Sequence, residues 1–516
     1  MRILPRRMPP FSEADAAQLE NWGIAPAEAD RQLALLREPP PPTRLLRPCT
    51  PGDGVEILSQ ARLPELHALH AEAARQGRLT KLVPASGAAS RMFADLAKFR
   101  SVPFTRADLA RRVGEGDKAA AALLLFLDEL DRFPFAEALL RAAGGLTDDV
   151  GVLLDALLGE DGLDYGNLPK GLIPFHRYGE DVRTAFEEHL VEAAAYARDG
   201  RGTCRLHFTV SPEHRVRFED TLREVRGGYE AAFGVRFEVG FSTQEPATDT
   251  LALDGEGKPF RREDGTLLLR PGGHGALLHN LDALGAAGAD LVFVKNIDNV
   301  VPDRLRGPTV TWKKAIAGRL LELERQARAL AHLLATGQAA DAVVLEAETF
   351  CRDVLHAPTT AAGSARRPVL LERLRRPLRV CGVVPNTGEP GGGPFWVQGE
   401  DGTVSLQIVE GAQIDAGNPE QARIYASSTH FSPTDLVCAL RDPDGHPYPL
   451  QDYVDPRAVL LARKTHEGRP LLALERPGLW NGAMARWNTV LVEVPLSTFT
   501  PVKTVNDLLR PEHQPA

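Results

Sequence analysis

The chain has 516 residues, 43% hydrophobic and 25% charged, and its 60 Lys+Arg against 69 Asp+Glu leave a formal net charge of -9. That length supports two to four structural units around a sizeable core, and the acidic balance argues against a nucleic-acid partner, which calls for a basic surplus. No run approaches 18 apolar residues, so no membrane span is expected, and Cys49, Cys204, Cys351, Cys381 and Cys438 have no zinc-ligand spacing. Scattered thiols and a basic start without an apolar stretch behind it predict a cytoplasmic protein.

In chain order, 12–38 reads as short polar helices, followed by the linker Glu38-Pro39-Pro40-Pro41-Pro42. One amphipathic helix is expected over 55–78, with His67 and His70 as surface or packing residues. An apolar strand then runs to Pro84. The Ala/Leu-rich stretch 106–160 has the spacing of three helices. Strands are expected over 203–211 and 235–242, with a helix over 213–233 between them. A hairpin over 250–270 carries the turn pairs Asp254-Gly255 and Asp264-Gly265. A helix over 275–287, a buried strand over 290–297 and a long helix over 309–336 follow. From about 378 the chain is rich in strands and loops.

This alternation predicts an α/β fold: a mostly parallel, mixed central sheet with helices on both faces. The expected units are a helical N-terminal region (1–78), a nucleotide-binding domain (79–340, with a helical insertion at 94–165) and a β-rich part (341–516) that completes the site.

The chemistry concentrates at strand ends, where open α/β sheets bind ligands. After Leu82-Val83-Pro84-Ala85 come the small residues Ser86, Gly87, Ala88, Ala89 and Ser90, then Arg91 in the first turn of a helix-like pattern. Small residues let backbone N–H groups approach a phosphate, and a guanidinium adds a fixed cationic fork. Gln244 follows the strand ending near Phe241. Gly273-His274-Gly275 opens a helix. Asn296-Ile297-Asp298-Asn299 ends the buried strand, and Asp298 there suits a magnesium ion bridging phosphates; the alternative is a turn cap. Lys170 and Lys503 stand on constrained loops as phosphate contacts or exposed residues. Trp480, Asn481, Trp487, His430 and His466 are secondary candidates for a cleft, while Glu187-Glu188 reads as a solvated helix face. There is no Gly-x-Ser-x-Gly, HExxH or Walker-type loop.

Taken in order, these clusters resemble the sugar-nucleotide pyrophosphorylases, above all the UDP-glucose and UDP-N-acetylhexosamine group with a GT-A-type fold. The whole chain also resembles a bacterial family known only as a domain of unknown function. The loop 86–92 resembles the small-residue loop of the former, Pro169-Lys170 its sugar-loop motif, and Gln244 its uracil-contacting glutamine. Gly273-His274-Gly275 is similar to its Gly-His-Gly turn, 296–299 to its metal-aspartate segment, and Pro501-Val502-Lys503-Thr504 to its phosphate-binding lysine motif. Two departures stand out. Ala89 replaces a loop glycine, which would narrow the approach to phosphates, and about eighty residues separate Arg91 from Lys170.

The resemblance implies a nucleotidyltransferase that joins a nucleoside triphosphate, UTP by analogy, to a sugar 1-phosphate with release of pyrophosphate. It implies Arg91, Lys170 and Lys503 in catalysis and Ser86, Gly87, Ala88, Ser90, Gln244, Gly273, His274 and Asn296 in ligand binding. Mg²⁺ on Asp298 goes with it. The alternatives are a GT-A-like glycosyltransferase and a non-catalytic nucleotide sensor. An Asp-x-Asp motif at the end of the 290–298 strand would favour the former and is missing; Ala89 favours the latter.

Overall fold

The computed structural model describes residues 11–100, 104–145, 147, 149–336, 340–359, 361–388, 391–400 and 402–515. Its centre is a nine-stranded sheet. In chain order its strands are β1 (Thr50–Pro51), β2 (Gly54–Glu56), β3 (Leu79–Pro84), β4 (Thr203–Thr209), β5 (Arg236–Ser242), β6 (Leu291–Lys295), β7 (Leu378–Pro385), β8 (His430–Ala439) and β9 (Asn488–Glu493). They lie in the order β1-β2-β9-β7-β8-β6-β3-β4-β5. Only β8 runs antiparallel to its neighbours, β6 and β7; every other pairing is parallel. The expected mostly parallel, mixed sheet is what forms.

Two-residue periodicity divides the strand residues between two cores. Leu79, Val83, Leu206, Phe208, Phe237, Leu291 and Phe293 face helices Ala185–Tyr196 and Arg306–Ala335. Leu82, Val292, Val294 and Cys438 face helix Leu277–Ala286 and Trp480. Both faces of β3 and β6 are therefore apolar, which is why these strands read as near-continuous hydrophobic runs.

From β3 the chain moves outward to β4 and β5, then crosses back to place β6 on the other flank of β3. The loops leaving β3 and β6 stand side by side at the carboxyl edge of the sheet and frame the crevice position of an open α/β sheet. Strands β7 to β9 extend the same sheet beyond β6.

Three local expectations change. Residues 55–78 split into β2, a 3₁₀ turn (Gln60–Arg62) and helix Leu63–Arg75, because β2 is drawn into pairing with β9. The stretch 106–160 forms four α-helices among the described residues, Arg106–Gly114, Lys118–Asp128, Ala136–Ala142 and Val150–Leu158. Pro134 disfavours helical backbone at Phe133, and Gly116, Gly144 and Gly145 take positive φ at the other breaks. These helices share the core of the sheet through Leu123, Phe126, Leu139 and Leu154. The segment 250–270 makes nested turns around Ala252–Leu253, which joins the hairpin Leu460–His466 and Arg469–Glu475. Among the described residues no helix is long and apolar enough to cross a membrane.

Candidate functional site

The crevice between β3 and β6 gathers four segments distant in the chain. The loop after β3 is held by Pro169: Ala88 and Pro169 form an isolated β-bridge, Ala89 N–H donates to the Leu168 carbonyl at 2.9 Å, and Lys170 N–H donates to the Gly87 carbonyl at 3.3 Å. The helical insertion thus returns Lys170 to the loop it left. The turn after β6 is held by the C-terminal segment: Asn299 bridges Pro501, and Val502 N–H donates to the Asp298 carbonyl at 3.1 Å. Lys170 closes the ring. Its Nζ lies 2.9 Å from Asp298 Oδ2 and donates to the Val502 carbonyl at 2.9 Å.

Backbone N–H groups and Arg91 stay open in this ring. Among the described residues the N–H groups of Ser86, Gly87 and Ala88 have no acceptor, and a Cβ at Gly87 would meet nothing within 4 Å. Arg91 is exposed and makes no hydrogen bond among the described residues. Ser90 is exposed beside it, and Asn296 is half-buried with its carbonyl accepting from Asn299 N–H. Lys503 follows Val502; its N–H donates to Asp507 Oδ2 at 2.8 Å, and its Nζ lies 5.8 Å from the Phe431 ring centroid. Ala89 does not narrow the approach. It is fully buried, packs its methyl in the core and spends its N–H on Leu168. Ala89 therefore gives no sign of a degenerate loop.

A second cluster borders the ring. Gln244 Nε2 donates to the Gly273 carbonyl at 3.2 Å, and His274 packs on Trp480 with ring centroids 4.3 Å apart. A Cβ at Gly275 would overlap Arg476 and lie 2.8 Å from the Pro477 carbonyl oxygen, so only glycine lets this turn dock on the Trp480 loop. His274 is exposed to solvent, yet surrounding protein desolvates it and lowers its pKa, with the charge of Arg91 as a further cause. The Arg91 contribution ties this cluster to the loop after β3.

Beneath the crevice lie charges that the motif reading missed. Glu192 is completely buried and binds two lysines, Lys81 on β3 at 2.9 Å and Lys295 at the end of β6 at 2.6 Å. Lys313 pairs with Asp435 beside them. Burial pushes the Lys81 ammonium down to about 8, against the pull of Glu192. The two lysines hold Glu192 well below the usual carboxylate range despite its burial. His189 Nε2 donates to the Ile297 carbonyl at 3.2 Å, one residue before Asp298, and burial with the Lys81 charge keeps its ring neutral. The signal was available in the sequence: Lys81 interrupts one apolar strand and Lys295 ends another, and a charge inside a buried run demands a partner.

A magnesium ion fits Asp298 only in partnership with a ligand. Among the described residues no group of three or more His, Cys, Asp or Glu could hold a metal. Mg²⁺ needs no such cage; it takes one or two carboxylates together with substrate phosphates. Asp298 is half-buried, with Lys170 on one oxygen, so its carboxylate is an ion-pair partner rather than a turn cap.

Other candidates fall elsewhere. His466 packs on Phe260 in the outer hairpin. His430 binds Glu493 at 2.9 Å at the far end of β9. Glu187-Glu188 is not a solvated face: Glu188 is fully buried and accepts from Tyr178 at 2.6 Å, with His176 Nδ1 3.0 Å away. His176 shares a 2.9 Å hydrogen bond with His513, which anchors the C-terminal segment.

The chain belongs to the family described as "Domain of unknown function (DUF4301)", which matches residues 12–514. No curated protein matches it in sequence. Among solved structures, the uridine diphosphate N-acetylglucosamine pyrophosphorylase from Trypanosoma brucei is similar over 97% of this chain and 79% of its own, at 15% identity and a TM-score of 0.50; the two share a fold. UDP-glucose phosphorylase from Trypanosoma brucei is similar over 96% and 77%, at 15% identity and a TM-score of 0.47. A mutant of UDP-glucose pyrophosphorylase from Leishmania major is similar over 96% and 78%, at 13% identity and a TM-score of 0.45.

Proposed function

We propose that the chain is a nucleotidyltransferase that joins a nucleoside triphosphate to a sugar 1-phosphate and releases pyrophosphate, on a GT-A-type sheet. One observation carries this reading: unpaired loop N–H groups, exposed Arg91 and the Lys170–Asp298 pair meet at the switch point between β3 and β6.

The reaction brings two polyanions together, so the protein's task is positioning and charge neutralisation. Ser86, Gly87, Ala88 and Ser90 receive the triphosphate on backbone N–H groups. Arg91 neutralises the β and γ phosphates and the departing pyrophosphate. Gln244 and the Gly273 turn border the base, and His274 with Trp480 offers stacking surface. Asn296 stands beside Asp298 and adds an amide to the wall. Lys170 swings from Asp298 to the sugar phosphate, and Lys503 completes the cationic rim. Asp298 would hold Mg²⁺ together with the phosphates, and the ion would supply charge neutralisation. No general base is required, because the attacking phosphate oxygen is already ionised. UTP is the triphosphate of choice through the resemblance of Gln244 to a uracil contact.

The test is pyrophosphate release with magnesium across the four nucleoside triphosphates and pooled sugar 1-phosphates. Release that needs both substrates supports the reading and names the base. Triphosphate binding without release turns it into a sensor; neither binding nor release ends it.

A further inference from the structure

Helices Glu13–Asn21 and Pro26–Arg37 pack on neither core of the nine-stranded sheet. Their residues Leu19, Leu33 and Leu36 form a separate core with Leu251 and Leu474. That core joins the helices to the chain just after Gln244 and to the end of strand Arg469–Glu475.

Polar contacts extend the joint toward the wall made by Gln244 and the Gly273 turn. Gln32 is fully buried; its Oε1 accepts from Leu251 N–H at 2.9 Å and its Nε2 donates to Glu28 Oε1 at 2.8 Å. Trp22 Nε1 donates to Asp249 Oδ2 at 3.0 Å. Glu28 Oε1 also lies 3.0 Å from Arg476 Nη2, with the two side chains 24% and 16% exposed. Arg476 carries this contact onward. Its Nε donates to the Thr248 carbonyl at 2.6 Å. The same carbonyl oxygen would stand 2.5 Å from a Cβ at Gly272, and a Cβ at Gly275 would overlap Arg476 Cβ. Arg476 thus underlies both ends of the turn 272–275, whose Gly273 carbonyl accepts from Gln244 Nε2. Burial works against a charged guanidinium at this place, and the Glu28 charge is the first to oppose it. The planar fork serves a carboxylate and a carbonyl at once, which fixes its direction.

We propose that Glu28 and Arg476 are positioning residues through which the N-terminal helices hold the base-facing wall, so that these helices set affinity for the nucleoside and leave phosphate binding at the loop after β3 untouched. The inference rests on the nucleotide reading. Its test uses the full chain with magnesium and two probes, UTP and inorganic tripolyphosphate, which carries phosphates without a base. Hydrogen exchange is followed in peptides covering 246–251 and 272–276. In Glu28→Ala, exchange there is expected to rise while that of β3 and β6 stays the same. UTP affinity should fall about tenfold, with tripolyphosphate affinity unchanged. In turnover the KM for UTP should rise with kcat kept, because the binding lost is common to ground and transition states. Glu28→Gln keeps an acceptor for Arg476 and should recover most of the UTP affinity. Should Glu28→Ala fail to fold, judged by circular dichroism, Arg476→Lys, which keeps the charge and loses the fork, takes its place. Unchanged exchange, unchanged UTP affinity or equal weakening of both probes overturns the inference alone. An unsubstituted chain that binds no UTP removes the base this wall is read to face, and overturns the inference together with that reading.

Discussion

Two lysine–carboxylate clusters stand at successive depths below the same crevice and differ in what they can do. Lys170–Asp298 is at the rim, with side chains 14% and 22% exposed. Lys81 and Lys295 around Glu192 lie just beneath, fully enclosed. The chemistry is the same, but the desolvation is not. At the rim, water competes for each partner, so Lys170 can leave Asp298 at modest cost. In the interior no such exchange exists. Glu192 must stay with its lysines, because separating them leaves a charge in a medium that cannot solvate it. The outer cluster is thus suited to ligand exchange and the inner one to holding β3 and β6, and with them the loops that leave them, in register.

The largest effect should come from breaking the inner cluster. Glu192→Gln leaves two buried ammonium groups without a counter-charge and should cost about 3–5 kcal/mol of stability, read from the denaturant midpoint. The outer cluster should respond in the opposite sense. Asp298→Ala, and Arg91→Ala beside it, should each lower pyrophosphate release on the order of a hundredfold while the unfolding midpoint moves little. A stable Glu192→Gln chain, or a strongly destabilised Asp298→Ala chain, would reverse the assignment.

Acid should sharpen the contrast between interior and rim. Burial lowers His70 to about 4 and His513 to about 3 from the ordinary 6.5. Below 6.5 the unfolded chain binds protons at these positions that the folded chain refuses. Stability is therefore complete above about pH 6.5 and falls as pH drops toward 4 and then 3. Thermal unfolding followed from pH 7 to 4 should show this decline, with a shallower slope in His70→Gln. The smallest effect is expected at Ala89. Ala89→Gly should cost about 1 kcal/mol through lost packing and added chain freedom, with turnover unchanged, because its methyl faces the core. Faster turnover in that variant would restore the idea of a narrowed loop.

Much of the architecture was legible in local pattern. The runs ending at Pro84 and Lys295, and the long helix after Pro308, follow from periodicity and keep their expected type. The motif residues were legible as strand-end clusters, and the crevice joins them although Lys170 lies about eighty residues from Arg91. What local pattern misread has physical reasons. Gly54–Glu56 is too short to announce a strand and forms one because β9 offers it a partner. Glu187-Glu188 looked like a solvated face because helix Ala185–Tyr196 is buried on nearly every side, which no single-helix pattern reveals.

By itself the sequence determined the alternation of strands and helices, the acidic balance and the placing of small residues, Arg91 and Asp298 just beyond strands. Those properties depend on neighbours in the chain and on side-chain chemistry alone. Only the tertiary structure decided that Lys170 faces Asp298, that the methyl of Ala89 turns inward, and that Glu192 joins β3 to β6. Each of these is a choice of partner across a hundred residues or more, or of which side of a loop meets solvent. Such choices are made by desolvation and packing when the layers close, and no local periodicity carries them.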